Sequence, residues 1–386
     1  MLDLALAGKV DAWRVDLDRL PETARFVAGV IRDQYPDLKV PFHARWRHFV
    51  FQGRDLWAEM SARFEDADAR ARAAFDLAIV SVLLDAGSGP GWRYRDAPLG
   101  IEATRSEGLA LASLRMFEAG AFSEKAGQPL RADAAGLIAL SAAALAEGFQ
   151  VGRDNPLAGL EGRASLLNRL GAQAVARPDL FAMDDGPRPG GLYDAIRDRS
   201  VDGRLAAPVI LEVLLEALGP VWQDRLTLGG VDMGDTWRHP ALKRDDATDG
   251  LVPIHKLSQW LSYSLVEPLM DAGLEVTDLD GLTGLAEYRN GGLFLDMGVV
   301  ALTDPADAAK AWPVSDPMIV AWRSMTVALL DRIAPLVRQE LGVTPDQMPL
   351  ASVLEGGTWA AGRRVAATQR EGGGPPLTIL SDGTVF

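Results

Sequence analysis

Apolar residues recur at helical spacing through most of this chain, while runs that alternate apolar with polar at strand spacing are few. Residues 21–34 put Phe26, Val27, Val30 and Ile31 on one face, which predicts an amphipathic helix. Residues 66–84 predict a longer helix, charged at its start and apolar over 79–84. It must stop in Asp85-Ala86-Gly87-Ser88-Gly89-Pro90-Gly91-Trp92, because glycines this dense, with a proline, cannot continue a helix. Thr104-Arg105-Ser106-Glu107 is a capping-box pattern that opens a helix through Phe117. Further helices are expected over 133–148, 160–176 and 208–218, with a Pro/Gly-rich loop at 184–191. Residues 226–235 hold too many glycines for a helix and predict a short strand or hairpin. Residues 253–272 read as a helix with Pro253 in its first turn and Pro268 bending or ending it. A long amphipathic pattern over 316–341 is interrupted or kinked at Pro335, and 375–386 read as a hairpin around Ser381-Asp382-Gly383. The expected fold is mainly α, with short strands and a C-terminal hairpin. It is read as a single integrated helical domain over 1–386, divisible into lobes 1–150 and 151–386.

Composition narrows the function. Nearly half of the residues are apolar, enough for a sizeable core. The formal charge of −14 repels nucleic-acid backbones and anionic membranes, and no Lys/Arg block overrides it. Neither a nucleic-acid nor a membrane partner is expected. The chain has no cysteine, which removes disulfides, thiolate nucleophiles, zinc ribbons and iron–sulfur clusters. The first residues lack a basic region leading a long apolar core, and the most apolar stretch, 134–146, is too short to span a bilayer. A cytoplasmic protein is the simplest expectation.

Familiar catalytic motifs fail on inspection. The glycine loop after residue 85 lacks the Gly-Lys-Ser/Thr ending of a phosphate-binding loop and follows a helix, so a helix-terminating turn is the alternative reading. There is no Gly-x-Ser-x-Gly elbow. The four histidines show no zinc-protease spacing, and nothing in the sequence argues for a metal. His43 and His48 sit among Arg45, Trp46 and Arg47, as on a solvated or interfacial face.

Candidate chemistry begins at Val231-Asp232-Met233-Gly234-Asp235-Thr236-Trp237-Arg238-His239-Pro240. An aromatic face beside cationic donors suits a flat or anionic small ligand. The same loop could instead be anchored by Trp237 with Asp235 and Arg238 paired internally. On the following helix His255, Gln259 and Ser262 share one face, and Lys256, Trp260 and Tyr263 the next. That polar stripe faces solvent or a pocket. Glu287, Tyr288, Arg289 and Asn290 then interrupt an apolar, glycine-marked stretch. Charges in such a setting are either a structural ion-pair network or functional, because burying an unpaired carboxylate is very costly.

The runs Trp92-Arg93-Tyr94-Arg95, Thr104-Arg105-Ser106-Glu107-Gly108-Leu109, His255-Lys256-Leu257-Ser258-Gln259-Trp260-Leu261, the segment from Leu282-Thr283-Gly284 through Glu287-Tyr288-Arg289-Asn290-Gly291-Gly292, and Asp382-Gly383-Thr384-Val385-Phe386 stand out together. They resemble the uracil-catabolism family, whose members were long described as a domain of unknown function. The resemblance covers essentially the whole chain and implies a step in uracil breakdown through a ribosyl-urea, ending in urea. The helix at His255 and the Thr283 to Arg289 segment are also similar, more distantly, to the queuosine salvage N-glycosidases, whose helical fold is related to DNA glycosylases. Lys256, Gln259, Tyr288 and Arg289 coincide in type with that pattern, while Glu287 stands where those proteins have an aspartate.

Together the resemblances imply hydrolysis of the N-glycosidic bond of a ribosyl-urea, as the nucleoside or its 5′-phosphate. They imply no cofactor. Such cleavage passes through an oxocarbenium-like transition state. Glu287 is the expected carboxylate, with Asp235 as partner or replacement, and His255 or His239 the donor to the leaving nitrogen. Lys256, Arg238 and Arg289 would grip phosphate and ribose hydroxyls, with Trp237, Gln259 and Tyr288 completing the binding set. An amidohydrolase or lyase acting on the opened ring, and a non-catalytic pathway scaffold, are the rival classes.

Overall fold

The computed structural model describes residues 1–89, 91–125, 127–128, 130–222 and 225–380. Among them helices dominate, and every sheet is a pairing of two short strands. No described helix is long and apolar enough to cross a membrane. The chain divides into two compact units built from interleaved segments.

One unit comprises Met1–His43, Asp235–Gln259 and Leu279–Leu380. Its core lies between the helices Leu20–Gln34 and Pro317–Leu341, where Val27, Val30 and Ile31 and the stripe Ile319, Val320, Leu329, Leu330 and Ile333 are buried. Asp316 caps the long helix by accepting from the Met318 amide, and Gly342 ends it in the left-handed conformation at φ 72°. Pro335 neither interrupts nor ends that helix. Buried Ile333, Ala334 and Val337 anchor the turns on both sides, so packing outweighs the lost amide bond. Trp13 stacks on Trp322 with ring centroids 6.2 Å apart and donates Nε1–H to the Met318 carbonyl at 2.9 Å. Its strand, Trp13–Val15, pairs antiparallel with Val300–Leu302.

Periodicity did not reveal the helical run that follows residue 349. It begins as Leu350–Ser352, widens into a π-helix over Val353–Trp359 and continues as Ala360–Gln369. A π-turn breaks the 3.6-residue rhythm by which a helix is recognised in sequence. Small residues let this run sit close to its neighbours. A Cβ on Gly357 would lie 2.9 Å from Val27 Cγ1, and one on Gly362 only 2.2 Å from the Arg289 carbonyl oxygen. Gly362→Ala is therefore expected to cost about 3 kcal/mol, the upper end for overpacking against an unyielding group. Chemical denaturation should read it as a lowered midpoint.

The other unit comprises Ala44–Gly234 and Trp260–Asp278. Its central helix, Ala67–Leu83, is capped by Asp66 accepting from the Ala69 amide at 2.8 Å, and nearly all of its later turns are buried. Within it, buried Asp76 accepts from the amides of Ala132 and Gly190 and from Arg188, tying three chain segments together. Where the helix ends, Arg163 donates to the carbonyls of Ala86 and Gly87 at 2.7 and 2.9 Å. The described part of the glycine loop thus serves as a helix stop whose carbonyls are captured by an arginine. Arg45, fully buried, pairs with Asp85 at 3.1 Å, and His48 is buried too, so the 43–48 run is no solvated face.

Other expectations need correction. The 133–148 helix is two, Ala134–Ala139 and Ala142–Gly148, because Leu140 leaves the helix and Ser141 Oγ caps a new one. Thr104 precedes the helix Arg105–Glu118, but its side chain makes no cap bond. Pro253 ends the strand Leu251–Pro253, paired with Thr236–Arg238, and the helix starts only at Lys256. The glycine-rich hairpin is present as Thr227–Leu228 against Val231–Asp232. Near the C-terminus, Thr378–Leu380 pairs in parallel with Ala311–Pro313, and residues 381–386 of the expected hairpin lie outside the described residues.

Candidate active site

Glu287 sits immediately before the helix Tyr288–Asp296 and is its N-cap. Its Oε2 accepts from the Arg289 amide at 2.8 Å and its Oε1 from the Asn290 amide at 2.6 Å. Each oxygen thereby uses one lone pair, leaving about two acceptor directions of the carboxylate for other partners. The residue is only 9% exposed. Burial pushes its pKa above the ordinary glutamate value, against the two amide bonds and the charges of Lys256 and His43.

The surrounding shell is fixed by hydrogen bonds. Asn290 donates Nδ2–H to the Leu285 carbonyl at 3.1 Å and accepts from Thr358 Oγ1 at 2.9 Å, which joins the Glu287 turn to the π-helix. Gln259 Oε1 accepts from the Thr283 amide at 3.1 Å, so the start of the Lys256–Asp271 helix holds the segment that leads into Glu287. Arg289 donates to the Gly373 carbonyl at 2.7 Å, and its guanidinium lies 4.8 Å from the Tyr288 ring centre. His43 Nδ1 lies 2.5 Å from Glu355 Oε2, on the π-helix, and its ring tilts against Trp359 at 5.8 Å.

Asp235 is engaged on every side. Arg323 donates to both of its oxygens, at 2.9 and 2.8 Å, Trp237 Nε1–H donates to Oδ1 at 2.6 Å, and the Lys256 amide donates to Oδ2 at 2.9 Å. Its carbonyl accepts from the amides of Ile254 and His255. Burial raises its pKa, but the Arg323 charge and these hydrogen bonds overcome that and hold it at about 2. The network holds the first turn of the Lys256 helix through the Lys256 amide, and His255 adopts φ 50° to enter that turn. Desolvation lowers the pKa of His255, opposed by Asp235 and reinforced by Arg323.

The remaining sequence candidates spread outward. His239 is buried, with Nδ1 accepting from the Ala241 amide at 3.1 Å; burial and the charged N-terminus lower its pKa, against a bond to the Pro317 carbonyl. Arg238 is exposed and donates to the Asp249 carbonyl. The structure thus gathers two groups: Asp235, Trp237, Arg323 and His255, and, joined to them through Lys256, Glu287 with His43, Glu355, Asn290 and Thr358. No described group of three or more His, Asp or Glu residues could hold a metal ion.

Sequence reading missed His43, Glu355, Arg323 and Thr358. His43 and Glu355 are separated by 312 positions, so no local spacing links them. The available signal was a lone acid, Glu355, in the apolar and small-residue run Leu350-Ala351-Ser352-Val353-Leu354-Glu355-Gly356-Gly357-Thr358-Trp359.

Residues 1–386 match the family described as protein of unknown function, DUF1688. The chain belongs to that family. Among family relatives, Protein urg3 of Schizosaccharomyces pombe is 37% identical over 397 residues, covering 100% of this chain and 95% of that protein. Uracil catabolism protein 4 of Lachancea kluyveri is 35% identical over 413 residues, covering 98% of this chain and 93% of the relative. The resemblance carried by the Trp92, Thr104, His255 and Leu282 runs is thus to the right family, along the full length of the DUF1688 match.

Proposed function

We propose that this protein acts in uracil catabolism as a hydrolase that cuts the N-glycosidic bond of a ribosyl-urea and releases urea. The pathway is suggested by the name of the Lachancea kluyveri relative, whose match covers 98% of this chain. The chemistry rests on one observation: Glu287 is a buried carboxylate held by two backbone amides, within the electrostatic reach of Lys256 and His43.

Breaking the C1′–N bond leaves positive charge on the ribose ring, and a desolvated, oriented carboxylate stabilises that charge far better than water does. The raised pKa also makes Glu287 a stronger base toward the attacking water than an ordinary glutamate. Asp235, with both oxygens on Arg323, acts in this reading as a positioning residue for Lys256 and His255. Trp237, His239, Arg238 and Arg289 support the binding surface or its scaffold, with Gln259 holding the segment before Glu287.

Incubation with ribosyl-urea and with its 5′-phosphate, assayed for urea and for free pentose, tests the proposal. Urea is expected in equal amount with pentose, or with pentose 5-phosphate from the phosphorylated compound; ammonia in place of urea would make the enzyme an amidohydrolase, and no turnover of either compound would remove the glycosidase reading. Lys256→Ala should raise KM for the phosphorylated substrate about tenfold or more, with a smaller effect on the unphosphorylated one. Because Lys256 lowers the Glu287 pKa, its loss should also move the acidic limb of the kcat/KM profile to higher pH.

A further inference from the structure

One cleft of the structure has no part in the reaction proposed above. It has a volume of about 370 Å³ and is lined by Gln34, Glu355, Trp359, Arg363 and Arg364. All five belong to one compact unit. Glu355, Trp359 and Arg363 follow one another at intervals of four residues, from the π-turn into the helix Ala360–Gln369, so they share one side of that run. Gln34 comes from a second element, as the last residue of the helix Leu20–Gln34. The close approach at Gly357 fixes these two elements against each other. π-Turns are uncommon and occur frequently at functional sites, and this one brings Glu355 and Trp359 to the cleft.

The charged groups of the cleft stand at two ends. At one end Glu355 is tied to His43 through Oε2 at 2.5 Å, while its Oε1 accepts no hydrogen bond from any described residue. The Glu355 side chain is only 13% exposed, and a carboxylate oxygen so little solvated calls for a donor. At the other end Arg364 uses Nη1 on Asp33 at 2.6 Å, in a pair that solvent reaches on both sides. Its Nε and Nη2 make no hydrogen bond among the described residues. Arg363 adds a second positive charge, with its guanidinium 4.8 Å from the Trp359 ring centre. A bare anion would therefore meet Glu355 and Asp33 as well as the arginines, and a bare cation would meet two arginines. The charges complement a molecule that has unlike ends. Glu355 and Arg364 are separated by about 13 Å of helix, which the side chains lining the cleft shorten to the length of a small molecule.

We propose that this cleft binds a short dipolar acid, with N–H donors at one end and an anionic group at the other. The N–H end donates to Glu355 Oε1, and the anionic end accepts from Arg364 in a charge-assisted bond. Gln34, whose side-chain amide makes no hydrogen bond among the described residues, donates or accepts along the length between them. A ureido acid and an amino acid share this chemistry. The inference goes beyond the glycosidase reading and does not depend on it, since binding is measured without turnover.

Calorimetric titration with three acids built on one carbon chain tests it. N-carbamoyl-β-alanine carries a ureido group, β-alanine an ammonium group, and propionate neither. At least one of the first two should bind saturably with a Kd of about 1 mM, and about tenfold or more tighter than propionate. The tighter of the two identifies the head group that Glu355 receives. Arg364→Ala, at an exposed position, should weaken that binding about tenfold while circular dichroism stays unchanged, and Glu355→Gln should weaken it by a similar factor. Propionate binding as tightly as the other two would mean that the arginines alone hold the acid, and would overturn the proposal. So would an affinity untouched by Arg364→Ala, or no saturable binding of any of the three up to about 20 mM.

Discussion

Glu287→Gln should release urea at least about a hundred times more slowly than the unaltered protein, the scale of losing a positioned base or electrostatic stabiliser. The substitution keeps shape and one acceptor oxygen but removes the charge that an oxocarbenium needs. Substrate affinity should change far less, since that charge matters mainly in the transition state. The pH profile gives a second reading. Burial raises the Glu287 pKa, so the working carboxylate is lost as pH falls through a value above the ordinary glutamate range. The acidic limb of kcat/KM should lie there and be absent from the residual activity of the variant. Glu287 is also a helix cap, and losing a cap costs about 0.5–2 kcal/mol. The thermal midpoint must be followed beside the rate, because a drop in turnover with little loss of fold separates chemistry from capping. Near-normal turnover in this variant would move the charge requirement to another carboxylate.

Asp235→Asn is the change expected to cost most in stability. It leaves Arg323, 1% exposed, as a buried cation facing an amide, and removing one partner of such a pair costs about 3–5 kcal/mol. The pH dependence of the unaltered protein should carry the same signature. The folded pKa of Asp235, about 2, lies below its unfolded value of 3.8, so the stabilisation is fully present above the unfolded value and disappears as pH falls through the folded one. That shift is worth about 2 kcal/mol. Urea-denaturation midpoints between pH 5 and pH 2 should therefore fall more steeply in the unaltered protein than in Asp235→Asn. Equal slopes would mean that the Arg323 pair contributes nothing to the difference between the folded and unfolded chains.

Helices with an unbroken apolar rhythm were legible in the sequence, as at 160–176, where the structure has Leu160–Ala176. What failed was punctuation. Nothing in the Ala-rich 133–148 stretch announces that Ser141 will cap a second helix, because serine is tolerated inside helices as well as at their starts. Pro253 suits a first helical turn and a strand end equally, and the pairing with Thr236 decided between them. The candidate site divides along the same line. Glu287, Lys256 and Gln259 were visible because polar groups stood out against local apolar patterns. Arg323 was hidden inside a long amphipathic helix, where an arginine reads as an ordinary surface charge, and its partner lies 88 positions away. Chemistry assembled from distant segments leaves no spacing for a linear reading to find.

The wide turn at Val353–Trp359 makes the site depend on helical phase. In an α-helix each residue advances the side-chain direction by about 100°, so removing one residue from this stretch would turn everything beyond it by nearly a third of a revolution. Glu355 and Thr358 now reach His43 and Asn290 from one wide turn. A single deletion here would preserve every chemical group and most of the packing, yet no longer let both contacts form together. The fold stores that alignment as an angle, which a change in length within the turn would disturb more than many substitutions around it.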